Sequence, residues 1–244
     1  MRLGVPANSR RSLRVRGVTQ LVAVMALALL AGCQGNQPQV DPAQTLRAAG
    51  AAMAKLKTVT ATLKFTKGAI TFQTFTLVSA KTSVRLPADS DTVYTVKRQD
   101  ISVSIEVLIS GGHVYLHVPF STFQELTGSE AAAMPDLAKL FDPATGLPKV
   151  IPAGRSPKYI GTDKVNNADT QKIGVTYGAD QVKGMFAQLS SSGDVIAEIW
   201  AGTSDHLIRK AVLDGAFGDG GKPATVEVNI SGFDTAVNIT PPSP

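Results

Sequence analysis

Ile101-Ser102-Val103-Ser104-Ile105-Glu106-Val107-Leu108-Ile109 is the cleanest pattern in the chain. Its odd positions are all β-branched and apolar. Its even positions are polar except for Leu108. A period of two sends alternate side chains to opposite faces of a strand. The stretch therefore predicts a strand with Ile101, Val103, Ile105, Val107 and Ile109 toward a core, and with Ser102, Ser104, Glu106 and Leu108 on the other face. Gly111-Gly112 follows as a hairpin turn. Val114, Leu116 and Val118 take the inner face of the returning strand, and Pro119 ends it. A strand that returns at once pairs antiparallel.

Working upstream, Val59, Ala61, Leu63 and Phe65 alternate with threonines and Lys64, which predicts a second half-wet strand closed by the Lys67-Gly68 turn. Residues 70–78 continue as a strand, although Phe72, Phe75, Leu77 and Val78 do not keep one parity. Residues 82–86 and 92–98 are strands separated by a turn over Pro87–Asp91. Before them, Asp41-Pro42 is an N-cap with proline at the first helical position. Leu46, Ala49, Met53 and Leu56 then follow at helical spacing, so a helix is predicted over 42–57. Gly50 inside it is read as a modest cost.

Downstream, the strand pattern stops between Ser121 and Ala153. Met134, Leu137, Leu140 and Phe141 have helical spacing, and Asp142-Pro143 is a second cap-and-start signal. Leu147, Val150 and Ile151 follow, broken by Pro148 and Pro152. Strands resume over 158–166 and 170–177. A short helix capped by Asp180 carries Val182, Met185, Phe186 and Leu189. Strands over 194–201, 206–214 and 224–232 finish the chain. Runs of strands with segregated helices indicate an α+β fold. An apolar sheet face needs a cover, and the helical segments are the covers available. They either fill the gap as an ordinary core or leave an apolar cavity beneath them.

The N-terminus carries a different signal. Arg2, Arg10, Arg11, Arg14 and Arg16 precede an apolar run, Leu21 to Ala31, which ends in Leu30-Ala31-Gly32-Cys33. A basic region, a short apolar region and small residues describe a secretory signal. The run is short of the roughly 20 residues that span a bilayer. Leu-Ala-Gly-Cys resembles the lipobox of bacterial lipoproteins, in which Cys33 becomes the acylated N-terminus. The expected organisation is a signal over 1–32, a tether over 33–40 and one domain over 41–240. The chain has 24 Lys+Arg against 19 Asp+Glu. The five leader arginines account for the whole excess of +5, so the mature part is neutral. With no Lys/Arg block there, nucleic acid is not an expected partner. Cys33 is the only cysteine, so no internal disulfide is possible.

Few residues suggest chemistry. There is no Gly-x-Ser-x-Gly and no Gly-x-Gly-x-x-Gly. Gly221-Lys222 fails as a phosphate loop, because Ala216 stands where that motif needs glycine and Pro223 where it needs Ser or Thr. Gly218 to Gly221 reads as a hairpin turn. His113 and His117 lie four residues apart on a strand, about 13 Å, too far for one zinc with bonds of about 2 Å. They are read as surface residues, like His206. No catalytic residue, cofactor or metal is expected.

Four motifs in order carry a family resemblance. The first is the lipobox, then a helix reading Ala-Ala-Met-Ala-Lys-Leu-Lys (51–57) into a Thr-rich strand. The second is Leu140-Phe141-Asp142-Pro143-Ala144-Thr145-Gly146-Leu147. The third is Tyr159-Ile160-Gly161-Thr162-Asp163-Lys164-Val165, followed by a helix opening Ala179-Asp180-Gln181-Val182. The fourth is Ile199-Trp200 with Asp205-His206-Leu207-Ile208-Arg209-Lys210, a loose match because Ala201 replaces the family's Val and Leu207 directly follows His206. Together they resemble the mycobacterial LppX–LprAFG lipoprotein family across nearly the whole mature chain. The resemblance implies a strongly curved antiparallel half-barrel with helices over its concave face and a cavity for acyl chains of lipids or glycolipids. It implies a membrane-anchored carrier in the cell envelope and supplies no catalytic residues; the expected state is a monomer outside the cytoplasm, with an envelope transporter as a candidate partner. The alternative is a lipoprotein that binds another envelope protein and carries no lipid. The candidate cavity residues are Val103, Ile105, Val107, Leu116 and Val118 on the sheet. On the covers they are Met134, Leu137, Leu140, Phe141, Val182, Met185 and Phe186.

Overall fold

The computed structural model describes residues 40–72, 74–99, 101–185 and 191–242. The predicted signal, Cys33, the predicted tether up to residue 39, Phe186 and Leu189 lie outside the described residues, as does the side chain of Met185. Residues from Val40 onward form one compact unit with its own core.

Twelve strands make one antiparallel sheet. They are β1 (Thr58–Lys67), β2 (Ile70–Phe72), β3 (Phe75–Arg85), β4 (Asp89–Arg98), β5 (Ile101–Ser110), β6 (His113–His117), β7 (Gln124–Leu126), β8 (Arg155–Val165), β9 (Ala168–Tyr177), β10 (Val195–Gly202), β11 (Ile208–Gly218) and β12 (Lys222–Ser231). The order is β7-β6-β5-β4-β3-β1-β12-β11-β10-β9-β8, with β2 beside β3. The first strand pairs with the last, Leu63 opposite Val228, so two meanders spread outward from the β1–β12 seam. Their outer strands β7 and β8 do not pair, and the sheet stays an open half-barrel. The connection from β7 to β8 must travel from one edge to the other, and it does so across the concave face.

That connection holds α2 (Gly128–Ala133), a 3-10 turn (Leu137–Phe141), α3 (Leu147–Val150) and a second 3-10 turn (Ile151–Ala153). Asp142 does not start a helix. Its Oδ1 accepts from the Ala144 and Thr145 amides at 2.9 and 2.8 Å, which closes a capped turn, and α3 begins only after Gly146. The first helix, α1 (Pro42–Met53), starts as its sequence predicts: Asp41 Oδ1 accepts from the Ala43 and Gln44 amides. Gly50 is more than a helix-weakening residue. A Cβ there would sit 2.6 Å from the Pro148 carbonyl and from Pro152 Cγ, so glycine lets α1 approach the proline-rich connection. The last described helix is α4 (Ala179–Met185).

The broken parity of residues 70–78 has a local cause. β3 is one strand whose register shifts between Leu77 and Ser79. Val78 is the extra residue of a β-bulge, which flips the side-chain alternation. Phe75 and Leu77 face the core before it, and Ala80, Thr82 and Val84 after it. The predicted break between 78 and 82 does not exist, and β4 begins at Asp89 rather than 92.

β5 keeps its predicted sense over most of its length. Val103, Ile105, Val107 and Ile109 meet the core and Ser104 is exposed. Two positions differ. Ile101 is 67 % exposed, because it starts the strand beyond the reach of the covers. Leu108, expected on the wet face, is 5 % exposed but lies outside the main core cluster. On the same convex face, the C-terminal tail crosses β1 and β3: the Asp234 amide donates to the Thr58 carbonyl at 2.9 Å and Arg85 to the Ile239 carbonyl at 3.2 Å.

Candidate functional site

The concave face is not uniformly filled. In the half built from β1 and β9–β12, the inner positions alternate large and small residues. Ala197 on β10 pairs with Leu213 on β11, and Ile199 pairs with Ala211. The two alanines withhold the volume that would close the gap to the covers. The result is an apolar cavity, floored by these four residues with Val228 and Ile230 of β12. Its roof is Leu140, Leu147, Val150 and Ile151 of the edge-to-edge connection together with Val182 of α4. No polar atom is exposed on its wall. A water-sized sphere can place its centre in about 60 Å³ of it. At about 10–15 Å³ per water on that measure, this is room for a few waters.

Two buried tyrosines clasp the roof to the sheet. Tyr177 of β9 donates its hydroxyl to the Ile151 carbonyl at 3.0 Å. Tyr94 of β4 donates to the Pro135 carbonyl at 3.1 Å. Burial pushes both hydroxyls well above the ordinary tyrosine range, and at Tyr94 the nearby Asp136 carboxylate adds to the effect. Both therefore stay protonated donors. Burial likewise raises the Asp136 carboxyl, against the hydrogen bond it accepts from the Ala138 amide. Tyr177→Phe would leave a buried carbonyl without its donor. We expect a loss of about 1–3 kcal/mol in urea melts and faster amide exchange over residues 147–154, with the exchange of β4 and β5 unchanged.

Of the residues singled out from sequence, Leu140 and Val182 line this cavity. Leu137, Phe141 and Val107 are buried in the core, and Val103, Ile105, Leu116 and Met134 pack against it, none of them on the cavity wall. Val118 does not take the inner face. It is 38 % exposed, because β6 ends at His117 and the chain turns away. The other twelve wall residues, Leu63, Tyr177, Ala197, Ile199, Ala211 and Leu213 on the sheet among them, were missed as cavity residues. Their inward parity was readable, but the shortage of volume opposite them depends on which half the roof covers.

The two histidines of β6 stand on the convex face. His113 Nδ1 is 2.7 Å from Glu125 and His117 Nδ1 is 3.2 Å from Glu106. The third and fourth sequence motifs meet on that face too. Trp200 donates its indole N–H to Asp163 at 3.1 Å, and the Lys172 and Lys210 ammonium groups lie 4.7 and 5.3 Å from its ring centre. Asp205 and Arg209 form a two-pronged ion pair at 3.0 and 2.7 Å.

Comparison with known proteins follows the same outline. The family model described as LppX_LprAFG lipoprotein matches residues 41–239. The lipoarabinomannan carrier protein LprG of Mycolicibacterium hassiacum is 26 % identical over 237 residues, 92 % of this chain and 99 % of that one. The protein of the same name from Mycobacterium tuberculosis is 28 % identical over 113 residues, 46 % of each chain. Among solved structures, LprF from Mycobacterium bovis superposes with a TM-score of 0.67 at 19 % identity, covering 83 % of this chain and 97 % of that one. LppX from Mycobacterium tuberculosis gives 0.59 at 20 % identity, covering 82 % and 100 %. These two likenesses establish a shared fold.

Proposed function

The chain belongs to the LppX_LprAFG lipoprotein family, and from that membership we propose that it is a cell-envelope lipoprotein that takes acyl chains of lipids or glycolipids into its concave-face cavity and carries or presents them between membranes. The single observation behind this reading is the wholly apolar cavity beneath a roof made of short segments. The names of the LprG relatives, lipoarabinomannan carrier proteins, support a lipid or glycolipid cargo. Cys33 is the acylated residue in this reading, residues 1–32 the removed signal, and residues 33–40 the tether to a bilayer. Two acyl chains on the cysteine make a stable anchor where one is marginal.

The energetics suit carriage. Taking a sixteen-carbon chain out of water gains on the order of 12 kcal/mol, at about 0.8 per CH₂. A bilayer offers the same gain, so exchange between bilayer and cavity is nearly neutral and both loading and release are accessible. The present free space holds only part of such a chain. Loading therefore lifts α3, the 151–153 turn and α4 from the sheet, segments of three to seven residues. They are held by packing against the sheet and α1, by the Tyr177 clasp and by Gln181 Nε2 donating to the Ala153 carbonyl at 3.2 Å, none of which is a rung of the sheet ladder.

Native mass spectrometry of the protein purified from a mycobacterial host tests the reading. The expected spectrum shows, beyond the acylated polypeptide, mass increments that disappear on organic extraction. A spectrum of the bare polypeptide alone would refute the carrier role. Processing is checked separately: Cys33→Ala should abolish acylation.

A further inference from the structure

The loop that joins β6 to β7 presents an unusual residue to solvent. Val118-Pro119-Phe120-Ser121 forms a four-residue turn, closed by the Ser121 amide donating to the Val118 carbonyl at 3.2 Å. Proline stands second and Phe120 third, with φ of 66°. This is the type II pattern, whose third position demands positive φ and favours Gly or Asn. The Ser121 hydroxyl reinforces the turn, donating to the Val118 carbonyl at 2.8 Å and accepting from its amide at 3.3 Å. Behind the turn, Phe123 stacks on His117 with ring centres 4.8 Å apart. Phe120 itself is fully exposed, at 109 % of its reference area. Folding gains nothing from this side chain, and the left-handed backbone opposes a bulky residue there.

Its neighbours define a surface. The register carries β6 past His117 toward the end of the sheet where Arg98 pairs with Ile101. Ile101 is exposed at that end, and Val118, level with Ile105, is exposed on the way to it. Lys97 and Arg98 end β4 there, and Lys67 ends β1. All three cations are exposed, and among the described residues none makes an ion pair. From β1 to β6 the rim spans four strand spacings, about 19 Å. Arg98 also lies 6.0 Å from the Phe75 ring centre, and Asp100 of the same hairpin lies outside the described residues. An exposed apolar side chain beside cations that make no ion pair among the described residues is an arrangement that seats a protein on anionic lipid.

We propose that this rim docks on an anionic phospholipid bilayer, with Phe120 inserted among the acyl chains and Lys67, Lys97 and Arg98 against the headgroup phosphates. The docking is separate from cargo binding, because Phe120 and the three cations do not line the cavity.

The test uses residues 34–244, which contain the compact unit and lack both leader and thiol. Sedimentation with vesicles of phosphatidylcholine and phosphatidylglycerol should pull the protein down, and vesicles of phosphatidylcholine alone should do so far less. Phe120→Gly should weaken binding by about tenfold or more, with the melting temperature equal or higher because glycine accepts this φ. Lys97→Ala with Arg98→Ala should also weaken binding, and raised salt should act in the same direction. Wild-type protein that binds neither vesicle would overturn the proposal. So would a Phe120→Gly protein that binds as well as wild type, or one that melts lower and so reveals a structural role. Native mass spectra of the same variant separate this from carriage: cargo should be retained while vesicle binding is lost.

Discussion

Ala197→Leu should empty the protein of lipid and leave it at least as stable as the parent. Ala197 is buried on the cavity floor, and a leucine there points its added carbons into free space. Filling such space commonly adds about 0.5–2 kcal/mol. The same carbons occupy the volume an acyl chain would enter, so co-purifying lipid should fall to near background. A closed core makes the opposite pair of predictions. Overpacking it would cost about 1–3 kcal/mol, and there would be no lipid to lose. A thermal melt and a lipid extraction on the same preparation decide between them. A destabilised Ala197→Leu protein, made from a parent that carries no lipid, would defeat the cavity as a binding site.

Phe141→Ala should give the largest loss of stability. Phe141 is among the largest fully buried side chains and anchors the edge-to-edge connection to the core. Truncating a buried phenylalanine costs about 3–5 kcal/mol. For a domain of this size the melting temperature should fall by roughly 6–20 °C. Phe141 does not line the cavity, so any lipid loss must come through a loosened roof. Hydrogen exchange should then show opening over residues 137–154 before any in β1 or β12. Uniform exchange across the sheet and the connection would show that roof and sheet unfold as one unit, and that the roof cannot lift alone.

The contrast between these residues shows how much was legible. Phe141 was readable as apolar and inward, because Leu137, Leu140 and Phe141 repeat at helical spacing in a segment that should otherwise be polar, but it was expected on the cavity wall and lies in the packed core. Ala197 was not readable as a site residue. An alanine on the inward parity of a strand looks the same whether a side chain or empty space stands opposite it. The order of strands was readable as a meander, but the pairing of β1 with β12 was not, since a hairpin turn specifies its own partner and nothing about distant ones. The bulge at Val78 showed only as a loss of parity. Gly50 looked like a defect in α1 until the prolines of the connection were found against it.

The local sequence determined most element types, though not β7 or the turn at Asp142, and with them most inward faces, the cap at Asp41 and the lipobox resemblance at Cys33, because each depends on side chains a few positions apart. The tertiary structure alone decided the rest. The connection crosses the concave face because the β1–β12 seam puts β7 and β8 on opposite edges of one sheet. The cavity lies in the C-terminal half because Ala197 and Ala211 face that roof across the fold. Phe120 stands in water because the β6–β7 turn imposes a backbone that points it away from every core residue. Empty volume and exposed apolar surface arise from what fails to meet, and that depends on residues far apart in the chain.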